Sequence, residues 1–594
     1  MLRLLRICLV CLALPVPLGV TTAFAQTEQA PKGKWDGNIV LEGASNFHLT
    51  PESKRSHNLG VVGATVDYSL GGLSLNLSSK LELEHRITGA AGGNIRVADG
   101  DTTKKADASV NEKSYISSVS GINLGWYKNP EDRFKAYYNY SFDKSTPDNY
   151  NLTTTAVEGS ITEFDYTVQT GDHRNGTHKG GASYEHDFIT IGAMLSASLD
   201  VAFHNNSKYS EWTSGQGKGE LDTDPSRYRT TPTSDYSNYV LQVAYSDKRF
   251  FDLNNLDVDF SLTYHFKDLS DHQSAANYIN EQWQDSTSAR EDFNYRTATL
   301  TPKARVRYTI GIYKVDLTYS PQYFAYKLSG NSQEGDINKG KISHLVNLTN
   351  TFNPWPEHSF ILKFARKESR PDYLQICWFP RSSNVYADEL YVGNPDLKSC
   401  ITTTGNLVYE FKRKRFNANL NLECVFQPRK IEQTYSSEEI DGKQYRVYTW
   451  VNGGRSAEGN ADLTLGWEDG NFDAAVNGHF NIYKGYALSG SETKSSSYSF
   501  SGRAAYTLKT WKFQADAKDS SGVTRTYYSI TSLVDANIRV TKTFGDHFRV
   551  FLEGKDLLDR PVTVKTTSAD ETEIRYERHN DYKRLVRIGL NYKF

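Results

Sequence analysis

After its first 25 residues, this 594-residue sequence has no stretch near the roughly 20 consecutive apolar residues that a membrane helix needs, which excludes a helical membrane protein. Cysteine is scarce. Of five, Cys8 and Cys11 fall in those first 25 residues, leaving Cys377, Cys400 and Cys424. Three are too few for a disulfide framework, and no metal-type spacing connects them. Methionine occurs only at Met1 and Met194. Charge of one sign is missing as well: 68 basic residues stand against 70 acidic ones, so nucleic-acid binding has no support.

What is abundant is aromatic. The 38 Tyr, 28 Phe and 9 Trp favour extended strands over helices. Residues 1–25 read as a secretory signal, with Arg3 and Arg6 ahead of the run Leu9-Val10-Cys11-Leu12-Ala13-Leu14 and the small-x-small site Ala23-Phe24-Ala25 before Gln26. Removing them takes away two Arg and no acid, leaving 68 − 2 = 66 basic against 70 acidic residues. Neither Cys8 nor Cys11 lies where a lipoprotein cleavage site would place it, so no lipid anchor is expected.

From about Trp35 onward, apolar and polar residues alternate in segments of roughly 10 to 18 residues, the period and length of tilted strands that cross a bilayer. In 416–426, Phe416, Ala418, Leu420, Leu422, Cys424 and Phe426 share one face, and Asn417, Asn419, Asn421 and Glu423 share the other. Val476, Phe480 and Ile482 alternate with Asn477, His479 and Asn481, and Val534, Ala536, Ile538 and Val540 alternate with Asp535, Asn537 and Arg539. Strands of a soluble sandwich alternate too but average about five or six residues, so length favours a barrel.

Short turns near residues 70, 130, 188, 250, 310, 355, 413, 469, 509 and 545 interleave with longer connections such as 88–112, 144–175, 205–235, 369–399 and 556–581. The fold expected is an all-β transmembrane, antiparallel up-and-down β-barrel of about 22 strands, with short periplasmic turns and long extracellular loops. Aromatic pairs such as Trp126 and Phe134, Tyr245 and Phe250, Phe352 and Trp355, or Trp467 and Phe472 frame the turns as an interfacial girdle would. Pro302, inside the strand Ala298–Val306, predicts a bulge, because a closed barrel has no free edge for it.

The last residues alternate as Val586, Ile588, Leu590, Tyr592 and Phe594 against Arg587, Gly589, Asn591 and Lys593. Arg587-x-Gly589-x-x-Tyr592-x-Phe594 resembles the β-signal read by the outer-membrane assembly machinery, which makes that machinery and the outer-membrane bilayer expected partners. Arg366-Lys367-Glu368-Ser369-Arg370-Pro371-Asp372-Tyr373-Leu374-Gln375, then Gly393-Asn394-Pro395-Asp396-Leu397-Lys398, then Lys555-Asp556-Leu557-Leu558-Asp559, are similar to segments of TonB-dependent receptors and their β-barrel relatives. That family implies a Gram-negative outer membrane, a strand running into an outer loop at the first motif, and a strand starting at the second. Family members carry a plug ahead of the first strand. Here Gln26 to Lys34 leaves no room for one, so a barrel spanning 26–594 without a plug is expected.

Twenty-two strands about 4.8 Å apart and tilted near 40° enclose a backbone diameter of roughly 40 Å, too wide for side chains to fill. Outer loops, a separate plug or a partner must then occupy it. Three readings stay open: solute passage with a separate plug or surface lipoprotein, a non-transporting scaffold, or an enzyme. The lumen-lining candidates are Lys303, Arg305, Arg307, Asn417, Asn419, Asn421, Glu423, His479, Asp535, Arg539 and Arg587. No nucleophile–base cluster, metal set or cofactor motif is visible. Asp172-His173, Asp271-His272 and the acidic runs at Glu220, Asp222, Asp224 and at Glu438, Glu439, Asp441 read more simply as solvated loop. Cys377 and Cys400 bracket one outer loop, so a disulfide between them and two separate thiols are both open. Cys424 belongs to the lipid-facing register.

Overall fold

The structure, a computed structural model, describes residues 34–45, 57–98, 101–157, 160–217, 225–250, 253, 255–285, 291–330, 337–377, 381–382, 389–440, 443–486, 492–521, 524–525, 528–530, 533–558, 562–567, 573–580 and 585–594. The signal at 1–25 and the acidic residues Glu220, Asp222, Asp224 and Asp441 lie outside them.

Twenty-two antiparallel strands form the wall. The first eleven are β1 (Lys34–Ser45), β2 (His57–Leu70), β3 (Leu73–Ala98), β4 (Asp101–Tyr127), β5 (Asp132–Val157), β6 (Ser160–Phe188), β7 (Ala193–Gly217), β8 (Thr233–Asp247), β9 (Leu256–Gln273), β10 (Glu291–Ile310) and β11 (Tyr313–Gly330). The rest are β12 (Ile337–Trp355), β13 (His358–Ser369), β14 (Cys400–Arg413), β15 (Phe416–Ile440), β16 (Lys443–Asp469), β17 (Phe472–Tyr486), β18 (Glu492–Leu508), β19 (Trp511–Ser520), β20 (Leu533–Phe544), β21 (Phe548–Lys555) and β22 (Leu585–Lys593). Each pairs with its successor, and β22 returns to β1 in register from Asn38↔Lys593 to Ser45↔Val586. At that seam Gly37 and Phe594 exchange backbone hydrogen bonds of 3.2 and 3.0 Å. Closure leaves the wall no edge.

Ten tight connections join β2/β3, β4/β5 and so on at the positions read from the sequence. Two-residue turns force a left-handed residue, supplied by Gly311 (φ 56°) and Gly470 (φ 55°). The alternation sets the two faces. On β17 Val476, Phe480 and Ile482 are 55%, 49% and 53% exposed, while Asn477, His479 and Asn481 on the other face hydrogen-bond across the wall. Large apolar side chains left outside on every side are what lipid, not water, accommodates. Trp126, Trp355, Trp467 and Trp511 are likewise exposed beside the tight turns, at interfacial depth.

Two expectations are corrected. The described residues of 88–112 and 144–175 are strand, not loop: β3–β4 and β5–β6 stay paired as hairpins out to Ala98↔Asp101 and Val157↔Ser160. About 10 residues suffice to cross the bilayer, so strands of 26 to 29 residues stand far above the outer rim. Beyond lipid no apolar face is required, which is why a stretch such as Gly89-Ala90-Ala91-Gly92-Gly93-Asn94 shows no alternation yet still pairs through its backbone, on one side with β4 and on the other with Glu573–Asn580. Nor does Pro302 sit in a bulge. Leu300 pairs with Tyr323 and Ala304 with Tyr319, so the register is kept while the ladder skips the residues between. The same register sets Pro302 opposite Pro321, so the two missing N–H donors fall in one gap, and Ser320 Oγ donates to the Pro302 carbonyl at 3.2 Å.

Candidate functional site

The polar register faces the lumen of a barrel this wide, and the lumen candidates on β10 to β22 take part in three groups of contacts. In the first, Arg305 Nε donates to both oxygens of Asp316 at 2.9 and 3.1 Å, Arg307 reaches Asp259 at 3.2 Å, and Lys303 stands exposed in the same register. In the second, Asn406 donates to Asn421 (2.7 Å), Asn421 to Asp462 (3.2 Å), and His479 meets Asp462 at 2.6 Å. Beside them Asn460 donates to Glu423 (2.9 Å), Asn481 to Asn460 (2.6 Å) and Asn419 to Glu410 (3.5 Å). Asn417 lies over Gly466, where a Cβ would come within 2.5 Å of it.

The third group lies at the seam. Arg587 bridges Glu42 on β1 and Glu553 on β21, the latter at 3.2 Å, and Arg539 stacks on Phe551, 3.8 Å from guanidinium carbon to ring centre. Phe551 covers Gly589, where a Cβ would fall 2.2 Å from the ring. Asp535 pairs in register with Lys518 and joins none of these contacts. Of the β-signal residues, then, Gly589 makes room for Phe551, and Phe594 lays its ring on Gly37 across the seam, 2.1 Å from where a Cβ would be. Asn460, Asp462, Glu42 and Glu553 were not singled out in the sequence. Asn460-Ala461-Asp462-Leu463-Thr464-Leu465 carries the same alternation and would have revealed the first two.

The loop after β13 turns into the lumen. On β10 the exposed apolar residues are Leu300, Val306 and Tyr308, so Phe293 and Tyr295 belong to the inner register, as do Leu269 on β9 and Leu328 on β11. These bury against Ile376 and Cys377 of the loop, with Phe293 1% and Leu328 0% exposed, and Tyr373, Leu374 and Leu397 pack beside them. The motif residues hold this contact. Arg370 stacks on Phe324 at 3.9 Å and donates to Gln322, and burial lowers its guanidinium pKa from the usual value. Asp372 and Gln375 form a capping box on the short helix α1 (Tyr373–Ile376), and Tyr373 meets the rings of Phe293 and Tyr295. Gly393 N donates to Cys377 O at 2.7 Å, Asn394 Nδ2 to Trp450 O at 3.0 Å, and Lys398 N to Asn452 Oδ1 at 2.6 Å, tying the loop's far end to β16. From the wall, Lys339 reaches Pro395 O and Asp396, and Lys341 reaches Ser399. At the end of β21, Asp556 N of the third motif donates to Asn537 Oδ1 on β20 at 2.8 Å; Asp559 lies outside the described residues.

Gly393 permits the loop's fold. A Cβ there would sit 2.3 and 2.5 Å from the backbone O and N of Cys377. Gly393→Ala is expected to loosen the loop by about 1–3 kcal/mol. Limited proteolysis of the barrel in liposomes reads this as faster cleavage within 371–398; an unchanged cleavage rate would refute the packing role. Cys377 and Cys400 are both buried thiols, not a disulfide. Their packing explains this: Cys377 is wedged under Gly393 while Cys400 starts β14. Cys424 is exposed on the apolar face. Among the described residues, no group of three or more His, Cys, Asp or Glu could hold a metal ion.

Residues 186–592 match the sequence profile of the Outer membrane protein beta-barrel family. No curated protein matches the chain. Among solved structures it is similar to the ferric citrate transporter FecA in its unliganded form, at 11% identity and a TM-score of 0.61 over 96% of this chain and 80% of that one. It is also similar to the copper transporter OprC (9%, 0.61, covering 96% and 82%) and to the siderophore receptor PirA from Pseudomonas aeruginosa (11%, 0.54, covering 95% and 81%). At such identities the likeness shows the fold alone.

Proposed function

From the premise that this chain belongs to the Outer membrane protein beta-barrel family, and so lies in the outer membrane of a Gram-negative bacterium, we propose that it takes part in passing a solute across that membrane, completed by a separate plug or surface lipoprotein. One observation carries the reading: a closed 22-strand wall whose inner register is polar and charged from the seam to β17, against which the described residues of the 370–399 loop pack in the sector from β9 to β16. A wall that served only as an anchor would need neither a wide bore nor charge along it. FecA, OprC and PirA, which share the fold, are described as two transporters and a receptor, which agrees with this reading without assigning a solute.

Planar-bilayer recording of the purified barrel, alone and with whatever co-purifies from native outer membrane, tests it. The expected result is a conducting state that a stoichiometric partner silences. Absence of conductance in every preparation, partner present or stripped, would overturn it. In that event the hairpins β3–β6, standing above the rim as ready-made surface, would favour an anchoring role in a larger complex.

A further inference from the structure

Charge is not spread evenly around the inner register. On β10, β11 and β13 it comprises Lys303, Arg305, Arg307, Lys314, Lys363 and Lys367, against Asp316 and, at the outer end of β10, Glu291. On β14 to β17 the sign reverses, with Glu410, Glu423, Glu458, Asp462, Glu468 and Asp473 against Lys412. The two sectors are neighbours, and β13 and β14, from which the inward loop hangs, are their boundary.

They also differ in how their charge is held. Lys303, Arg305 and Arg307 recur at every second residue, about 7 Å apart along one strand, and Arg307, Asp316, Thr349 and Lys363 share one cross-strand row. Asp316 and Asp259 fix the two arginines. Lys303, Lys314 and Lys363 are exposed and make no ion pair among the described residues. In the neighbouring sector three of the carboxylates take donors from neutral amides, Glu423 from Asn460, Asp462 from Asn421 and Glu458 from Asn481, while Asp462 also meets His479 and Asp473 pairs with Arg503 of β18 at 3.2 Å. An amide satisfies a carboxylate's hydrogen bonds without cancelling its charge. One sector therefore offers cations with nothing to pair with, and the next is a fixed anionic surface.

We propose that the β10–β13 sector of the inner wall binds the anionic groups of the solute, whether phosphate, sulfate or carboxylate, and that the β14–β17 sector beside it repels them. The inference rests on the solute-passage reading and deepens it. Oriented single-sign side chains in a confined aqueous bore set selectivity by this means, and the attraction weakens as salt shortens the screening length.

Titration calorimetry of the detergent-solubilised full-length barrel with inorganic tripolyphosphate tests the proposal. Saturable binding that weakens between about 0.05 and 0.3 M salt is expected. The triple substitution Lys303→Gln, Lys314→Gln, Lys363→Gln should lower the affinity at least about tenfold, whereas Glu423→Gln with Asp462→Asn should leave it equal or stronger. All of these side chains are in contact with solvent, and an unchanged heat-modifiable gel shift confirms that each variant still closes. No saturable binding to the parent barrel, or equal affinity in the triple variant, overturns the inference. A barrel that conducts but does not bind overturns it alone, and one that binds but never conducts overturns the solute-passage reading alone.

Discussion

Arg587→Ala is expected to lower the stability of the closed barrel by about 1–3 kcal/mol, less than the cost of breaking a fully buried ion pair because these side chains are partly exposed. Arg587 sits on the last strand and holds Glu42 of the first and Glu553 of the one before, with the three side chains only 19%, 19% and 12% exposed. Removing the guanidinium leaves two carboxylates facing each other where little water reaches, at the single pairing that joins the chain's two ends. Lys at this position has one point charge and no fork, so Arg587→Lys should recover only part of the loss. Converting the whole set, Glu42→Gln, Glu553→Gln and Arg587→Met, removes the charges together and should restore most of it. The temperature at which the barrel loses its compact mobility in SDS gels measures all three. An Arg587→Ala barrel that opens at the parent's temperature would show that the Gly37–Phe594 contact and the backbone ladder close the seam unaided.

Residues answerable to lipid were the ones the sequence displayed. Phe416 to Phe426, Phe472 to Ile482 and Val534 to Val540 alternate because one face meets hydrocarbon, and the ten tight turns were readable where that alternation stops. Outside the bilayer the constraint vanishes and so did the signal: Gly89 to Asn94 and the stretch around Tyr150 are strand because a neighbouring backbone pairs with them, which no local pattern reveals. Pro302 was legible as an anomaly, but its remedy lies across the ladder at Pro321. The polar residues of the inner face were readable one strand at a time. Their grouping was not, because Asn421 meets Asp462, and Arg587 meets Glu42, at sequence separations only the closed sheet brings together. The resemblance of Arg370–Gln375 and Gly393–Lys398 to family motifs marked an outer loop; that the two motifs pin this loop to the inner wall follows from Gly393 lying against Cys377 and Tyr373 against Phe293.

Excising that loop should produce the largest functional change. Ser369 and Cys400 are direct ladder partners, so replacing 371–398 by an Asn-Gly turn between Arg370 and Ser399 lets β13 continue into β14 as a plain hairpin. The wall itself loses no strand pairing apart from the contact of Glu389–Tyr391 with β16. What it loses is the cover over Phe293, Tyr295, Leu328 and Leu269, which would then face the aqueous bore. Some stability goes with that apolar burial, but closure depends on the backbone ladder, so a folded, heat-modifiable barrel is still expected. Its conductance in planar bilayers should exceed the parent's severalfold, since the loop packs on the inner wall from β9 to β16. Gly393→Ala should move partway in the same direction by loosening the same contacts. Equal currents from the excised and parent barrels would mean that the loop only lines the wall, and the obstruction expected of so wide a bore would then have to come from another protein.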